Sequence, residues 1–357
     1  MSDGRRKERT LGFGLIGAGM IANYHARAIQ ALEKTHNVRL VGVAGFSESE
    51  AQTFAGKYGL SFHTGSVDEL LARPDIDVVS IVTPSGAHLE PALKAIGAGK
   101  HLIVEKPIEI TIARTDTILS AAHEAGVKVM AIFQARFSAG AQAVRKAVEA
   151  GRFGRLVLCS AYVKWHRSVE YYTGWKGSLA LDGGGAVMNQ SIHAVDLLQW
   201  FVGMPSDVFA RKTRCVHGGI EAEDTAVASF RFPNGALGAL EATTAAWPGW
   251  ERRIEICGED GSAIIEDDRI VRWEFRVPLP EDAVLSTPSG TGGAASGAGA
   301  PDQIGFEGHR IQIVEMIRSL REGTPLSVDG AQARNAVALI SAIYDSAERG
   351  VPVNITQ

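Results

Sequence analysis

An apolar run, "LGFGLI" at residues 11–16, passes straight into "GAGMIA", which sets Gly17, Gly19 and Ala22 in a G-x-G-x-x-A arrangement between a strand and a helix. No other junction constrains the chain as strongly. The glycines permit a tight turn, and the helix start beyond them offers backbone N–H groups and a favourable dipole to an anion. The pattern predicts a dinucleotide site that holds a pyrophosphate over Gly17, Gly19, Met20 and Ile21. A plain tight turn is the competing reading. The string closes the first strand of a βαβ unit near the start of the chain, which favours the dinucleotide.

From residue 11 to about 133, β-rich runs alternate with helical stretches. Strands are expected at 11–16, 38–44, 78–82, 101–105 and 128–133, with helices at 21–33, 49–57, 88–98 and 111–125. Near-continuous apolar strands between helices predict an α/β fold whose doubly wound parallel sheet is covered on both faces, an NAD(P)-binding Rossmann domain over residues 1–133. Residues 134–357 read as a second α/β domain for substrate binding and oligomerisation. A helix near 139–150 leads into alternating strands at 155–163, 207–214, 225–232, 237–244, 252–258 and 262–265, and helices at 306–321 and 331–349 close the chain. Hairpin signals at 233–235 ("PNG") and 258–261 ("GEDG") predict a large, mostly antiparallel sheet, open on one face. The Gly/Ala/Ser-rich stretch 286–301 is expected to be a mobile loop.

A chain of 357 residues calls for two cores. Its 21% charged residues and net charge of −4 leave no basic footprint for nucleic acid, so a small molecule is the expected partner. No segment approaches the roughly 20 apolar residues that span a bilayer, and no membrane is expected. Cys159, Cys215 and Cys257 lie far apart, without disulfide or zinc spacing, which suits a reducing, cytoplasmic setting. Arg5 and Arg6 before the apolar stretch mimic a twin-arginine export signal, yet cleavage there would remove the first strand and its glycine turn. His166, His193 and His309 share no ligand spacing, and no metal is expected.

The ribose end is less conventional. An acidic residue normally ends the second strand of an NAD site, and "VGVAGFSESE" offers Gly45, Phe46 and Ser47 there. Without that carboxylate, and with Ser47 able to donate to a 2′-phosphate, the NAD(P) reading leans slightly to NADP. No arginine neutralises such a phosphate, and Glu48 and Glu50 favour NAD if they face the site.

In "HLIVEKP" a core strand ends on Glu105, Lys106 and Pro107. Ligands of doubly wound sheets bind outside the carboxyl ends of strands, so Lys106 is brought towards the nicotinamide end of the crevice. Partial dehydration lowers a lysine pKa from about 10.4, which suits proton exchange or a hydrogen bond to a substrate oxygen. A surface ion pair with Glu105 is the alternative. Thr83, Pro84 and His88 follow another strand end and, with Glu105, are expected to line the cofactor.

"GGGAVMNQSIHAVDLLQW" supplies a glycine loop and then a helix, on which Asn189, His193 and Asp196 are spaced to share one face. His193 can accept the proton of a substrate hydroxyl, or serve as a capping or core histidine. Upstream, Trp165, His166, Tyr171, Tyr172 and Trp175 suit a sugar, whose CH face stacks on rings, although interface or loop packing explains them nearly as well. Lys164, His166 and Lys176 fit an acidic or phosphorylated substrate, and His309 is placed as approaching from the last helical segment.

The strings "GLIGAGMIANYHARA", "TPSGAHLEPALKAIGAGKHLIVEKP", "LDGGGAVMNQSIHAVDLLQWFVG" and "YDSAERGVPV" resemble the Gfo/Idh/MocA oxidoreductases over essentially the whole chain. The resemblance implies a Rossmann domain, an α/β domain whose open sheet builds homodimers or homotetramers, and nicotinamide-dependent oxidation or reduction of sugars, cyclitols and their derivatives. It implies a catalytic or substrate-orienting role for Lys106 and general-base catalysis by His193. Asn189 stands where the better-known members carry aspartate; an amide binds a hydroxyl but takes no proton. The resulting expectation is an NAD(P)-dependent sugar or polyol dehydrogenase. An enzyme that retains its cofactor to cleave glycosides or couple sugars, and a non-enzymatic sensor on the same fold, are the alternatives.

Overall fold

The computed structural model describes residues 9–285 and 305–355. It forms two compact units, Met1–Gln134 with Gly305–Arg334, and Ala135–Ile304 with Asn335–Gln357. The stretch 286–301, expected as a loop, lies outside the described residues.

In the first unit the elements run β1 (Leu11–Ile16), α1 (Ala22–His36), β2 (Val38–Ala44), α2 (Glu48–Tyr58), β3 (Phe62–Thr64) and α3 (Val67–Leu71), then β4 (Val78–Ile81), α4 (Leu89–Gly97), β5 (His101–Val104), α5 (Ile112–Ala125) and β6 (Val129–Ala131). The sheet order is β3-β2-β1-β4-β5-β6, every pair parallel. That order reverses between β1 and β4, so the carboxyl ends of those two strands flank the crevice where such sheets bind ligands. Local chemistry sets the helix ends. Ser47, Ser66 and Thr111 accept backbone N–H bonds at the starts of α2, α3 and α5, while Gly59 and Gly126 close α2 and α5 in the left-handed conformation. The sequence reading passed over β3 and α3 because three and five residues are too few to show a period.

Helix α9 (Glu307–Glu322) packs on α1 and contributes Ile313, Met316 and Ile317 to the same core as Phe13, Leu15 and Ile29. Gln312 accepts from the Phe133 N–H and donates to the Ala131 carbonyl, both at 3.0 Å, and so satisfies the end of β6. Residues 305–334 therefore build into the first unit, whereas the sequence reading assigned everything beyond 133 to the second.

The second unit holds α6 (Ala139–Glu149), β7 (Leu156–Lys164), α7 (Ile192–Val202), β8 (Asp207–Thr213), β9 (Thr225–Arg231), β10 (Leu237–Thr243), β11 (Arg253–Gly258), β12 (Gly261–Glu266), β13 (Arg269–Phe275), α8 (Asp282–Leu285), most of α10 (Gly330–Arg349) and β14 (Val353–Asn354). Its eight strands run β13-β12-β11-β7-β10-β9-β8-β14, antiparallel except where β7 meets β10. Along β9, Ala226, Ala228 and Phe230 are buried while Val227, Ser229 and Arg231 are exposed. This period of two marks a sheet covered on one face, and α7 lies on the covered side against β7 and β11. Strand β13 is absent from the expected strands although Val271, Trp273 and Phe275 alternate with Arg272 and Glu274; three of its seven residues are charged and only Trp273 is buried.

Arg136 and Asp196 form a bidentate pair at 2.7 and 2.6 Å with both side chains buried. Burial pushes the Asp196 carboxyl up, and the guanidinium opposes that shift. Removing the cation would strand a buried charge, so Arg136→Ala should cost about 3–5 kcal/mol in denaturant unfolding. An effect below about 1 kcal/mol would show that water or another donor replaces it.

Candidate active site

In the first unit, β1 runs into the glycine turn. Gly17 has φ 109°, its N–H donates to the Ala44 carbonyl at 2.8 Å, and an added Cβ would lie 2.8 Å from the Val82 carbonyl oxygen. Glycine is therefore required there by both conformation and space. An added Cβ on Gly19 meets nothing within 4 Å, so that position faces open space. Ile21 begins α1 with no side-chain cap, and Met20 is half exposed beside it. A tight turn, an open glycine and an uncapped helix start fit a dinucleotide pyrophosphate.

At the end of β2, Ser47 caps α2 by accepting the Glu50 N–H at 3.3 Å. The Glu50 carboxylate accepts the Phe46 N–H at 2.9 Å, and Glu48 accepts the Gly65 N–H at 2.7 Å and lies 3.4 Å from the His63 ring. One carboxylate thus stands at the end of β2 and the other at the end of the neighbouring β3.

Beyond β4, the Thr83 hydroxyl donates to the Ala87 carbonyl at 3.1 Å. Pro84 begins a short turn, and His88 beyond it is buried. The His88 ring nitrogens lie 2.9 Å from the Pro107 carbonyl and 3.0 Å from the Thr83 carbonyl, so His88 ties the end of β4 to the segment after β5. Burial lowers its pKa.

That segment is "EKP", whose Lys106–Pro107 peptide is cis. Glu105 is buried; its Oε1 accepts from Nε2 of His25 at 3.0 Å and Nε2 of His309 at 3.1 Å, and its Oε2 accepts the Lys106 N–H at 3.1 Å. The lysine backbone is thereby fixed from α1 and α9. These three side chains offer ligand atoms within 4.8 Å of one another, a metal-type grouping that sequence spacing did not reveal. Hydrogen bonds from both imidazoles to one carboxylate account for it. Burial alone would raise the Glu105 pKa, but the two histidines outweigh burial and hold the carboxyl well below its usual range. Burial lowers the pKa of His25.

In the second unit the "GGG" at 183–185 is dictated by space. An added Cβ would lie 2.0 Å from the Tyr344 hydroxyl at Gly184 and 2.0 Å from the Glu223 carbonyl oxygen at Gly185. The Glu223 carboxylate accepts the Val187 N–H at 2.8 Å and the Tyr344 hydroxyl at 2.9 Å. These contacts hold Ala186–Gln190 as one π-helical turn before α7. Asn189 lies in that turn and His193 in the first turn of α7. The two are partly exposed while every other residue from Gly184 to Gln199 is buried. Asp196, read from spacing as sharing their face, instead points inward to Arg136.

Among the aromatic residues, Trp165 is buried with the Arg167 guanidinium 4.9 Å from its ring. Tyr172 donates to the Thr244 hydroxyl at 2.7 Å and packs on His217, and burial pushes its pKa up to about 12. Tyr171 lies beneath Lys176, whose Nζ is 3.7 Å from the ring centroid. Trp175 and His166 are partly exposed, His166 with its ring against Trp247 at 4.9 Å. Lys164 pairs with Glu241 at 2.7 Å. Sequence reasoning did not single out His25, Arg167, Asp182, Gln190 or Glu223. His25 sits within the helical string "NYHARA" and Asp182 within "LDGGG", but only tertiary contacts distinguish them from ordinary surface polar residues.

Comparison with known proteins adds an independent line. Residues 11–133 match the oxidoreductase family with an NAD-binding Rossmann fold, and residues 141–264 match the GFO/IDH/MocA C-terminal domain. The WlbA dehydrogenase from Bordetella pertussis, solved in complex with NADH and UDP-GlcNAcA, is 32% identical with a TM-score of 0.88 over 98% of this chain and 99% of its own. Inositol 2-dehydrogenase of Rhizobium meliloti is 29% identical over 74% of this chain and 78% of its own length. Levoglucosan dehydrogenase of Pseudarthrobacter phenanthrenivorans is 26% identical over 98% of this chain and 99% of its own. Among the described residues, no helix is long and apolar enough to cross a membrane.

The Glu105 cluster makes a testable statement about pH. Both His25 and Glu105 have folded pKa values below their ordinary 6.5 and 4.5, so the unfolded chain binds more protons in acid. Their stabilisation is present above those values and is lost as pH falls, first below 6.5 and further below 4.5. Thermal unfolding between pH 7 and 4 should show this slope, and Glu105→Gln should be less stable at pH 7 and lose the part of the slope that lies below pH 4.5, the part due to His25 remaining. A variant with the wild-type slope would place the acid sensitivity elsewhere.

Proposed function

The chain belongs to the Gfo/Idh/MocA oxidoreductase family, and from that premise we propose that it is a dehydrogenase moving hydride between a secondary alcohol of a sugar, cyclitol or sugar derivative and a nicotinamide dinucleotide. When bound, the dinucleotide supplies the hydride acceptor or donor. Lys106 polarises and orients the substrate oxygen, and His193 exchanges its proton. The main support is the exposure pattern around α7: Asn189 and His193 keep partial exposure within a stretch otherwise buried. Such exposure suits groups that must reach a ligand, and a core histidine would not need it. Asn189 binds a hydroxyl, and the partly exposed Trp175 and His166 contribute to the substrate side. Trp165 and Tyr172 are already engaged in the unit's own packing, and they support the site's walls.

The cofactor reading shifts with the structure. A lean to NADP rests on the place of the missing acidic residue, but the Glu50 carboxylate reaches the end of β2 and that of Glu48 the end of the neighbouring β3. They repel a 2′-phosphate and suit a ribose hydroxyl, so NAD is proposed as the preferred cofactor. Arg167 and Lys176 beside Tyr171 supply cationic character, and the WlbA relative is bound to UDP-GlcNAcA. Acidic, nucleotide-linked sugars are therefore the first candidates, followed by inositols and anhydrosugars. The open face of the second sheet, with Val227 and Leu237 exposed, is proposed to pair copies of the chain as a dimer or tetramer.

Reduced nicotinamide formation by the purified protein with such a panel tests the reading. Lys106→Ala and His193→Asn should each lower kcat by about 10²–10⁴-fold, and titration should give a tighter Kd for NAD than for NADP. Full turnover in both variants would remove their assigned roles. Tightly retained cofactor with no net reduction would favour the glycoside-cleaving or sugar-coupling alternative.

A further inference from the structure

The residue that departs from the family's usual aspartate, Asn189, does not stand alone. Arg167 donates from Nε and Nη2 to Oε1 of Gln190, at 3.1 and 2.8 Å. Gln190 donates from Nε2 to Oδ1 of Asn189 at 2.7 Å and to the Tyr171 hydroxyl at 2.8 Å. Asn189 donates from Nδ2 to Oδ1 of Asp182, whose Oδ2 accepts the Gly177 N–H at 2.8 Å. Arg167, Gln190 and Asp182 are all buried.

The direction of this chain is fixed at its cationic end. A guanidinium has donors only, so the oxygen of Gln190 must face it, and the Gln190 amide nitrogen is left for Asn189. Asn189 must then present its oxygen to Gln190 and its nitrogen to Asp182, which as a carboxylate only accepts. Aspartate at 189 would place an oxygen where the Asn189 nitrogen now lies, against the Asp182 carboxylate. Two buried carboxylates in such contact cannot both ionise.

We infer that Asp182 is a positioning residue that dictates the amide at 189: the carboxylate of this pair stands at 182, behind the residue proposed to face the substrate. This rests on the reading of Asn189 as a substrate-binding group, but its structural half is independent of turnover. Exchanging the two side chains, asparagine at 182 with aspartate at 189, would preserve the contacts with Gln190 and Gly177 and the bond between the two. The carboxylate introduced at 189 would accept from Gln190 and from the amide introduced at 182, and the oxygen of that amide would accept the Gly177 N–H.

The test compares wild type, N189D, D182N and the double variant N189D/D182N by thermal unfolding from pH 5 to 8 and by kinetics. N189D alone acquires a proton shared between two carboxylates, with a folded pKa raised above its unfolded value. Its stability deficit should therefore grow as pH rises across that range, by a shift of several degrees. The double variant should regain the wild-type pH profile, and its kcat/KM should recover from a loss of roughly tenfold or more in N189D. Penalties of the two single changes that simply add, or an N189D protein with the wild-type pH profile, would overturn the inference. If the stability rescue appears while wild type turns over no sugar substrate, Asp182 still dictates the amide, and the functional reading of Asn189 is what fails.

Discussion

The Glu105 carboxylate is the interaction on which the first unit's functional end depends. It receives two imidazole N–H bonds from helices far apart in sequence, α1 and α9, and it holds the Lys106 backbone N–H with its other oxygen. A buried carboxylate must be met by donors or lose its charge. Meeting that demand draws His309 to the end of β5, a contact spanning 204 residues of sequence. Hydrophobic packing of α9 on α1 supplies the bulk of the attachment, but it is non-directional. The hydrogen bonds fix which residue faces which, and hence where the lysine emerges.

The second unit solves the same problem with different parts. Glu223 accepts backbone N–H groups from the π turn and the Tyr344 hydroxyl, and burial pushes the pKa of both side chains up. Helical turns with wider spacing leave backbone groups poorly paired unless something else binds them. Here a carboxylate from the loop before β9 does so, and two glycines let it approach. Each unit therefore uses a buried acid to hold backbone at or near a candidate site residue: Glu105 at the Lys106 N–H, and Glu223 at the Val187 N–H, two residues before Asn189.

Much of this was legible in the sequence where a period or a covalent constraint carried it. Strands β1 and β2 fall on the residues that apolar runs marked, and the glycine turn needs Gly17 for the reason its string suggested. What stayed hidden depends on tertiary contact. Spacing put Asn189, His193 and Asp196 on one helical face, but the π turn changes the angle between Asn189 and the two residues on α7, and Arg136 draws Asp196 inward. Glu48 and Glu50 were visible as residues, yet only the folded chain shows that the Glu50 carboxylate turns back to the end of β2 and that of Glu48 reaches the end of β3. The placement of 305–334 could not be read either, since an amphipathic helix does not say which sheet it covers.

The two buried networks also differ in charge, and that difference bears on what each can do. Around Glu105 the donors are imidazoles, a side-chain type able to take and give a proton. From Arg167 to Asp182 a permanent cation and a carboxylate terminate a line of two amides, which neither take nor give a proton near neutrality. A line of that kind holds polarity rather than moving charge. On the proposed function, proton exchange on the substrate side falls to His193, while Asn189 orients a hydroxyl. Amide recognition beside the His193 imidazole would separate binding from proton transfer on that proposal, so substitutions in the line should act on substrate orientation and those at His193 on the pH dependence of turnover.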